Sequence, residues 1–148
     1  GERLGQWVAS QQWAYPKGKL TDEQVEAVDV RAIVRFLQSP LAERIRASEQ
    51  VEREYRFSLL RPVRDFAVVN SDDEVLLQGV VDCFFEEDGE LVVVDFKTDR
   101  IGRTQIEERA EHYRPQLEAY SMALMRVMGK KVREKVLYFF SVGEEKVL

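Results

Sequence analysis

The sequence predicts one α/β domain, a mixed β-sheet flanked by helices with a helical segment at its N-terminal end. Three observations predict it. The hydrophobic period changes from helical to alternating at Val51, returns to helical between about Gln105 and Met128, and ends in an apolar run from Val132 to Val142. A strand, a long helix and another strand make a βαβ unit, so the last two strands are expected to run parallel. At 148 residues the chain can bury one substantial core, and 45% hydrophobic with 33% charged residues fits a folded globular domain. We divide it into a helical N-terminal segment, 1–50, and a core, 51–148.

The elements follow in order. Thr21-x-x-Gln24 is a capping-box pattern, and Val25, Val28, Ile33, Val34, Phe36 and Leu37 then recur at helical spacing. Ser39-Pro40 stops that helix and restarts another through Arg46, with Pro40 suited to a first turn. From Val51, the residues Val51, Tyr55, Phe57 and Leu59 alternate with Glu52, Glu54, Arg56 and Ser58, which reads as a strand with one apolar face. Ser71 to Glu74 is a polar turn, and Val75 to Phe85 a second strand. Glu86-Glu87-Asp88-Gly89 closes a hairpin, with Gly89 where a positive φ is needed, and Leu91 to Lys97 is the third strand. In the following helix, Leu117, Tyr120, Ser121, Leu124 and Met128 form one stripe. Pro115 is expected to kink or restart that helix, and Gly129 to cap it.

Composition excludes several classes. Cys83 is alone, which rules out a disulfide framework, a paired-cysteine zinc site and an iron–sulfur cluster, and fits a cytoplasmic setting. No apolar run is long enough to span a bilayer. There is no phosphate-binding G-x-x-x-x-G-K-[ST] loop. The net charge of −5 is uneven: Phe96 to Lys135 holds ten Lys or Arg against six Asp or Glu. A local excess of this kind suits phosphate contacts, and equally an ordinary solvated helix. The chain opens on Gly1-Glu2-Arg3 rather than on Met, and we expect it to be a piece of a longer protein.

Chemistry concentrates at Asp82, Asp95 and Lys97. Strand alternation points Asp95 and Lys97 to the same side, their Cα atoms about 6.5–7 Å apart, and turns Phe96 into the core. The hairpin makes the second and third strands neighbours, so Asp82 lies beside Asp95 if the register permits. Two carboxylates in an apolar strand are costly unless paired or coordinating a cation. Oxygen ligands of this kind suit Mg²⁺, with Mn²⁺ able to substitute, and the carbonyl of Phe96 is within reach as a further ligand. The other reading is that Asp95-x-Lys97 is a solvent-exposed ion pair of little consequence. The residues alone leave both open.

Three segments resemble, in order, the motifs of the RecB-like branch of the PD-(D/E)xK nucleases: Gly79-Val80-Val81-Asp82, Asp95-Phe96-Lys97-Thr98-Asp99 and Gln116-Leu117-Glu118-Ala119-Tyr120. The family runs Gly-x-x-Asp, Asp-Tyr-Lys-Thr and Gln-x-x-x-Tyr. The likeness spans about Val51 to Ser141 and points to the nuclease part of a bacterial helicase–nuclease that processes double-strand breaks for recombination. It implies a restriction-endonuclease-like fold and Mg²⁺-dependent hydrolysis of DNA, as an exonuclease or endonuclease. It implies metal ligation by Asp82 and Asp95, a catalytic role for Lys97, and site support or DNA contact by Gln116 and Tyr120. Glu54 matches an acidic position that assists metal binding. An AddB-type partner subunit is implied for the whole complex, and ATP use belongs to sequence outside this chain.

Two departures stand out. Phe96 replaces the usual Tyr, which is harmless if only its carbonyl ligates. The metal-binding histidine that the family carries upstream has no counterpart: the single histidine, His112, falls on the later helix and reads as surface or DNA-facing. The expectation is that the chain begins after that element and that full activity requires it. A nuclease fold retained only for DNA binding or subunit docking is the alternative, although such loss usually removes an Asp or the Lys and all three are present. A stand-alone restriction-type endonuclease is the third, with no specificity element found.

Overall fold

The computed structural model describes residues 30–65, 68 and 71–148. The capping box at Thr21–Gln24 and the run through Val25 and Val28 lie outside them. Among the described residues two short helices come first, α1 (Val30–Leu37) and α2 (Pro40–Ala47). Ser39 separates them: its Oγ accepts the Ala42 N–H at 3.2 Å, and Pro40 occupies the first turn, where its missing N–H costs nothing.

The sheet that follows contains β1 (Val51–Pro62), β2 (Glu74–Glu87), β3 (Glu90–Lys97), β4 (Val132–Phe139) and β5 (Glu144–Val147), in that spatial order. A 23-residue helix, α3 (Ile106–Met128), joins β3 to β4. The β3–β4 pair is parallel and the other pairs are antiparallel, so the sheet is mixed as expected. The β2–β3 hairpin turns on Asp88 (φ 54°) and Gly89 (φ 80°), the two positive dihedrals of a type I′ turn.

Helices cover both faces. On one, Phe36 of α1 meets Phe96 and Tyr138 edge to face, at centroid distances of 5.2 and 4.9 Å, within a cluster that includes Leu41, Ile45, Cys83, Phe85 and Phe140. On the other, Leu117 and Leu124 of α3 pack with Phe57, Val81, Phe84, Val93, Leu137 and Phe139. The predicted stripe on α3 is therefore its buried face, with Leu117, Ser121 and Leu124 buried and Tyr120 and Met128 half-buried.

Three expectations need correction. Pro115 does not restart the helix, which runs as one element through it. The loss of one backbone hydrogen bond there is outweighed by the apolar face on both sides of it. The last strand ends at Phe139 rather than Val142. The chain reverses through Gly143 (φ 64°) and returns as β5, pairing Val136 with Val147. Glu-Glu-Lys-Val has no apolar alternation to announce a strand, and charged residues are what an edge position tolerates. Finally, β1 does not keep one apolar face. Val51 packs with the α1–α2 side, whereas Tyr55, Phe57 and Leu59 pack with the α3 side. The switch occurs at Glu54, whose φ of 49° lies in the left-handed region.

Candidate metal-dependent nuclease site

The β1 and β2 strands share one register, with Arg53 opposite Cys83 and Tyr55 opposite Val81. Glu54 is therefore level with Asp82. Across the next ladder, Cys83 lies opposite Val94, which places Asp82 level with Asp95 at the point where β2 and β3 begin to splay. The faces of β2 change where those of β1 do, since Val81 and Phe84 join the α3-side cluster while Cys83 and Phe85 join the other. This paired irregularity gathers Glu54, Asp82 and Asp95 on three adjacent strands.

Both aspartates are buried, Asp82 9% and Asp95 4% exposed. Asp82 Oδ2 accepts the Phe96 N–H at 3.0 Å, an atypical use of a side chain in place of a ladder carbonyl. Lys97 follows Asp95 on the same side of β3, as alternation requires, and its Nζ stands 2.6 Å from Asp95 Oδ2. Phe96 turns the other way, into the aromatic cluster under α1. The Asp95–Lys97 pair is not the exposed ion pair that Asp-x-Lys usually makes, because the two side chains are only 6% and 14% exposed.

The ammonium does not satisfy the carboxylate. Although it is close enough for an ion pair, it lies off the hydrogen-bonding direction of Asp95 Oδ2, a buried oxygen that no well-aligned hydrogen bond reaches. Burial raises the Asp95 pKa well above the ordinary carboxylate value. The Asp82 charge and a shared hydrogen bond raise it further, and Lys97 opposes both. Glu54 Oε1 is a second buried oxygen with no hydrogen-bond partner. The sequence placed Glu54 on the solvated face of its strand; the left-handed backbone turns its side chain inward instead.

Orphaned carboxylate oxygens beside a buried pair of aspartates fit a divalent cation, which would supply the missing partner. The candidate donors are Asp82 and Asp95, with Glu54 and the Phe96 carbonyl as further ligands. The arrangement is open: among the described residues no three His, Cys, Asp or Glu side chains converge closely enough to hold a metal ion between them. His112 is exposed, its ring 5.0 Å from that of Tyr113.

Helix α3 forms the roof. Gln116 Oε1 accepts Lys97 Nζ at 3.1 Å, and Gln116 Nε2 donates to the Tyr120 hydroxyl at 2.9 Å, as one helical turn between them allows. Tyr120 also meets Phe57 edge to face at 5.6 Å, and both rings press on Gly79. A Cβ at Gly79 would lie 2.8 Å from Phe57 Cζ and 2.9 Å from Tyr120 Cε1. Tyr113 was not singled out from the sequence, and Asp99 entered only as the last residue of the second motif segment. Lys97 Nζ sits 3.8 Å from the centroid of the Tyr113 ring, and the Tyr113 hydroxyl donates to Asp99 Oδ2 at 2.8 Å. The i, i+3, i+7 spacing of Tyr113, Gln116 and Tyr120 was the available signal.

The basic segment divides. Lys130 and Arg133 pair with Glu86, Glu87 and Asp88 at the β2–β3 hairpin, so they hold the sheet together at the end away from the aspartates. Arg100, Arg103 and Arg109, nearer Lys97 in the chain, are exposed, with Arg103 paired to Glu144 at 3.1 Å and Arg109 to Asp99 at 3.8 Å. Among the described residues no helix is long and apolar enough to cross a membrane.

The profile described as the PD-(D/E)XK nuclease superfamily matches residues 2–147. The A subunit of the ATP-dependent helicase/nuclease from Acetivibrio thermocellus is 41% identical over 132 residues, 86% of this chain and 11% of that protein. Its namesake in Thermoanaerobacter pseudethanolicus is 39% identical over 128 residues, 84% and 10% respectively. In Bacillus pumilus the figures are 34% over 135 residues, 85% and 11%. The chain thus spans about a tenth of the length of the curated relatives it matches. With the profile covering nearly every residue and a mixed sheet between helices carrying the motif side chains, the chain belongs to the PD-(D/E)XK nuclease superfamily.

Proposed function

We propose that the chain is the metal-dependent DNA-cleaving domain of a bacterial helicase–nuclease of the AddA type, acting in double-strand break repair and recombination. The observation that carries this reading is the buried Asp82–Asp95 pair, with an unsatisfied oxygen on Asp95, against which Lys97 is held. Mg²⁺, or Mn²⁺ in its place, would be held by Asp82 and Asp95, with Glu54 and the Phe96 carbonyl completing the donors. Such a cation supplies Lewis-acid polarisation of a phosphodiester and an acidified water.

The chain's own residues do the rest. Asp82 and Asp95 would hold such a cation beside Lys97. Lys97 offsets the charge that develops on the phosphate during attack and orients the attacking water. Gln116 positions Lys97, and Tyr120 positions Gln116, so the helix holds the lysine from above. DNA is the substrate, approached past Arg100, Arg103 and Arg109, whose exposed guanidinium groups suit phosphate contacts. In the full-length protein an ATP-driven motor and an AddB-type partner subunit would deliver the strand, in the cytoplasm. Residues 1–50 are read as part of the same domain as the core at 51–148, since α1 and α2 bury their apolar faces on its sheet.

The test compares the chain with Asp95→Asn and Lys97→Ala in single-stranded DNA cleavage with Mg²⁺ or Mn²⁺, alongside calorimetric titration of the cation. Cleavage is expected to fall at least about a hundredfold in both variants. Asp95→Asn should also lose cation binding, while circular dichroism shows the fold intact. Wild-type cleavage by either variant would refute the assignment. Cation binding without cleavage in the unsubstituted chain would place a required element outside these residues.

A further inference from the structure

We propose that Tyr113 is a further positioning residue for Lys97 beside Gln116, its ring face holding the ammonium over the carboxylates and its hydroxyl fixed by Asp99. The inference rests on the nuclease reading above but assigns a part to Tyr113, which lies outside the three motifs, and to Asp99, which ends the second and had no role.

Lys97 has a four-carbon stem with several rotatable bonds, and holding it in one rotamer costs entropy that its contacts must offset. One contact, to Asp95, competes with the cation that the same carboxylate is built to bind. A second, to Gln116, is exposed to water. The third is the Tyr113 ring, 3.8 Å from Nζ to centroid, well inside the range of a cation–π attraction. Aromatic faces attract an ammonium without donating or accepting a proton, so this contact survives when a cation takes over Asp95.

The ring itself is anchored. Its hydroxyl donates to Asp99 Oδ2 at 2.8 Å, and Arg109 approaches the same oxygen at 3.8 Å. The Tyr113 hydroxyl is pushed up to about 12, chiefly by burial and then by Asp99, so it remains a donor throughout the working range. Asp99 is carried on a loop that is itself tied down. Ile101 N–H reaches the Asp99 carbonyl at 3.1 Å and Ser141 Oγ at 3.3 Å, while the Ile101 side chain is buried in the α3-side cluster. The loop after β3 and the first half of α3 are thereby locked together directly above Lys97.

The experiment compares Tyr113→Leu, Tyr113→Phe and Lys97→Ala in steady-state DNA cleavage and in NMR of the Lys97 side chain. An ammonium stem over a ring places the Lys97 Hε resonances upfield of their ordinary position. That shift should be present in the unsubstituted protein, persist in Tyr113→Phe and vanish in Tyr113→Leu. Loss of the ring should lower kcat roughly ten- to thirtyfold, leaving KM for DNA and Mg²⁺ affinity within about twofold. Tyr113→Phe, which keeps the face, should restore kcat to within about threefold. Ordinary Hε shifts in the unsubstituted protein would overturn the proposal, as would an unchanged kcat in Tyr113→Leu beside an inactive Lys97→Ala. Should Tyr113→Leu fail to fold, the spectra of the unsubstituted protein and of Tyr113→Phe decide it. Wild-type cleavage by Lys97→Ala would remove the nuclease reading while leaving the spectroscopic result standing.

Discussion

At Glu54 two unfavourable features coincide in one residue. Its left-handed φ costs a non-glycine residue about 1–2 kcal/mol, and a buried carboxylate oxygen without a partner adds a desolvation cost of similar size. Strain of this kind persists only where the surroundings enforce it, and it concentrates at functional positions. Glu54→Gly should therefore raise the metal-free thermal stability, by about 1 kcal/mol after the extra backbone entropy of glycine is subtracted. The same substitution should weaken Mg²⁺ binding by calorimetry. Glu54→Gln keeps the strain but removes the charge, and should weaken binding without that gain in stability. A Glu54→Gly protein that is less stable than its parent, with unchanged Mg²⁺ affinity, would show that Glu54 is neither strained nor a ligand. Cys83 lies on the register-paired strand one residue beyond Asp82, yet it is buried and its thiol is pushed up to about 12, chiefly by burial, so it takes no part in this chemistry.

Strand β2 and helix α3 meet at Gly79, and that contact joins two motifs that lie far apart in sequence. The Phe57 and Tyr120 rings occupy the space a Cβ would need, and Tyr120 in turn holds Gln116 against Lys97. Gly79→Ala must push these rings aside, an overpacking that typically costs about 1–3 kcal/mol. It should lower cleavage as well as the melting temperature, because the Tyr120 displacement reaches Lys97 through Gln116. An alanine variant with unaltered melting and cleavage would mean that the rings yield freely and carry no positional information. Much of this was legible beforehand. Asp95 and Lys97 fall on one side of β3 because strand alternation is insensitive to tertiary context, and the α3 stripe follows from helical spacing alone. What escaped was whatever a local pattern cannot encode. The turn of Glu54 into the left-handed region breaks the alternation that the reading assumed. Strand β5 draws its stability from pairing with β4 rather than from its own Glu-Glu-Lys-Val sequence. Tyr113 gains its significance only once the loop after β3 places Asp99 and Lys97 beneath it.

For the whole molecule, the site should make stability and cation binding depend on pH in opposite senses. In the cation-free chain the Asp95 pKa is raised well above 3.8, its ordinary value, by burial first and then by Asp82. The folded chain thus keeps a proton at pH values where the unfolded chain has released it. Stability from this group is fully present below the unfolded pKa and is lost as pH rises through the raised folded value. A bound divalent cation requires the ionised carboxylate, which depresses the folded pKa and reverses the sign, so the stabilisation it brings grows with pH over the same window. The melting temperature without cation should therefore fall as pH rises above the ordinary carboxylate range, and the increment produced by saturating Mg²⁺ should widen. Calorimetry in buffers of different ionisation enthalpy should detect proton release on Mg²⁺ binding, largest at the low-pH end of the window and fading above the raised Asp95 pKa. Asp95→Asn, which cannot titrate, should flatten the first trend and abolish the second. A Mg²⁺ increment that is constant with pH, with no proton released, would mean that the cation does not bind at Asp95, and the reading of the buried pair as a cation site would fall with it.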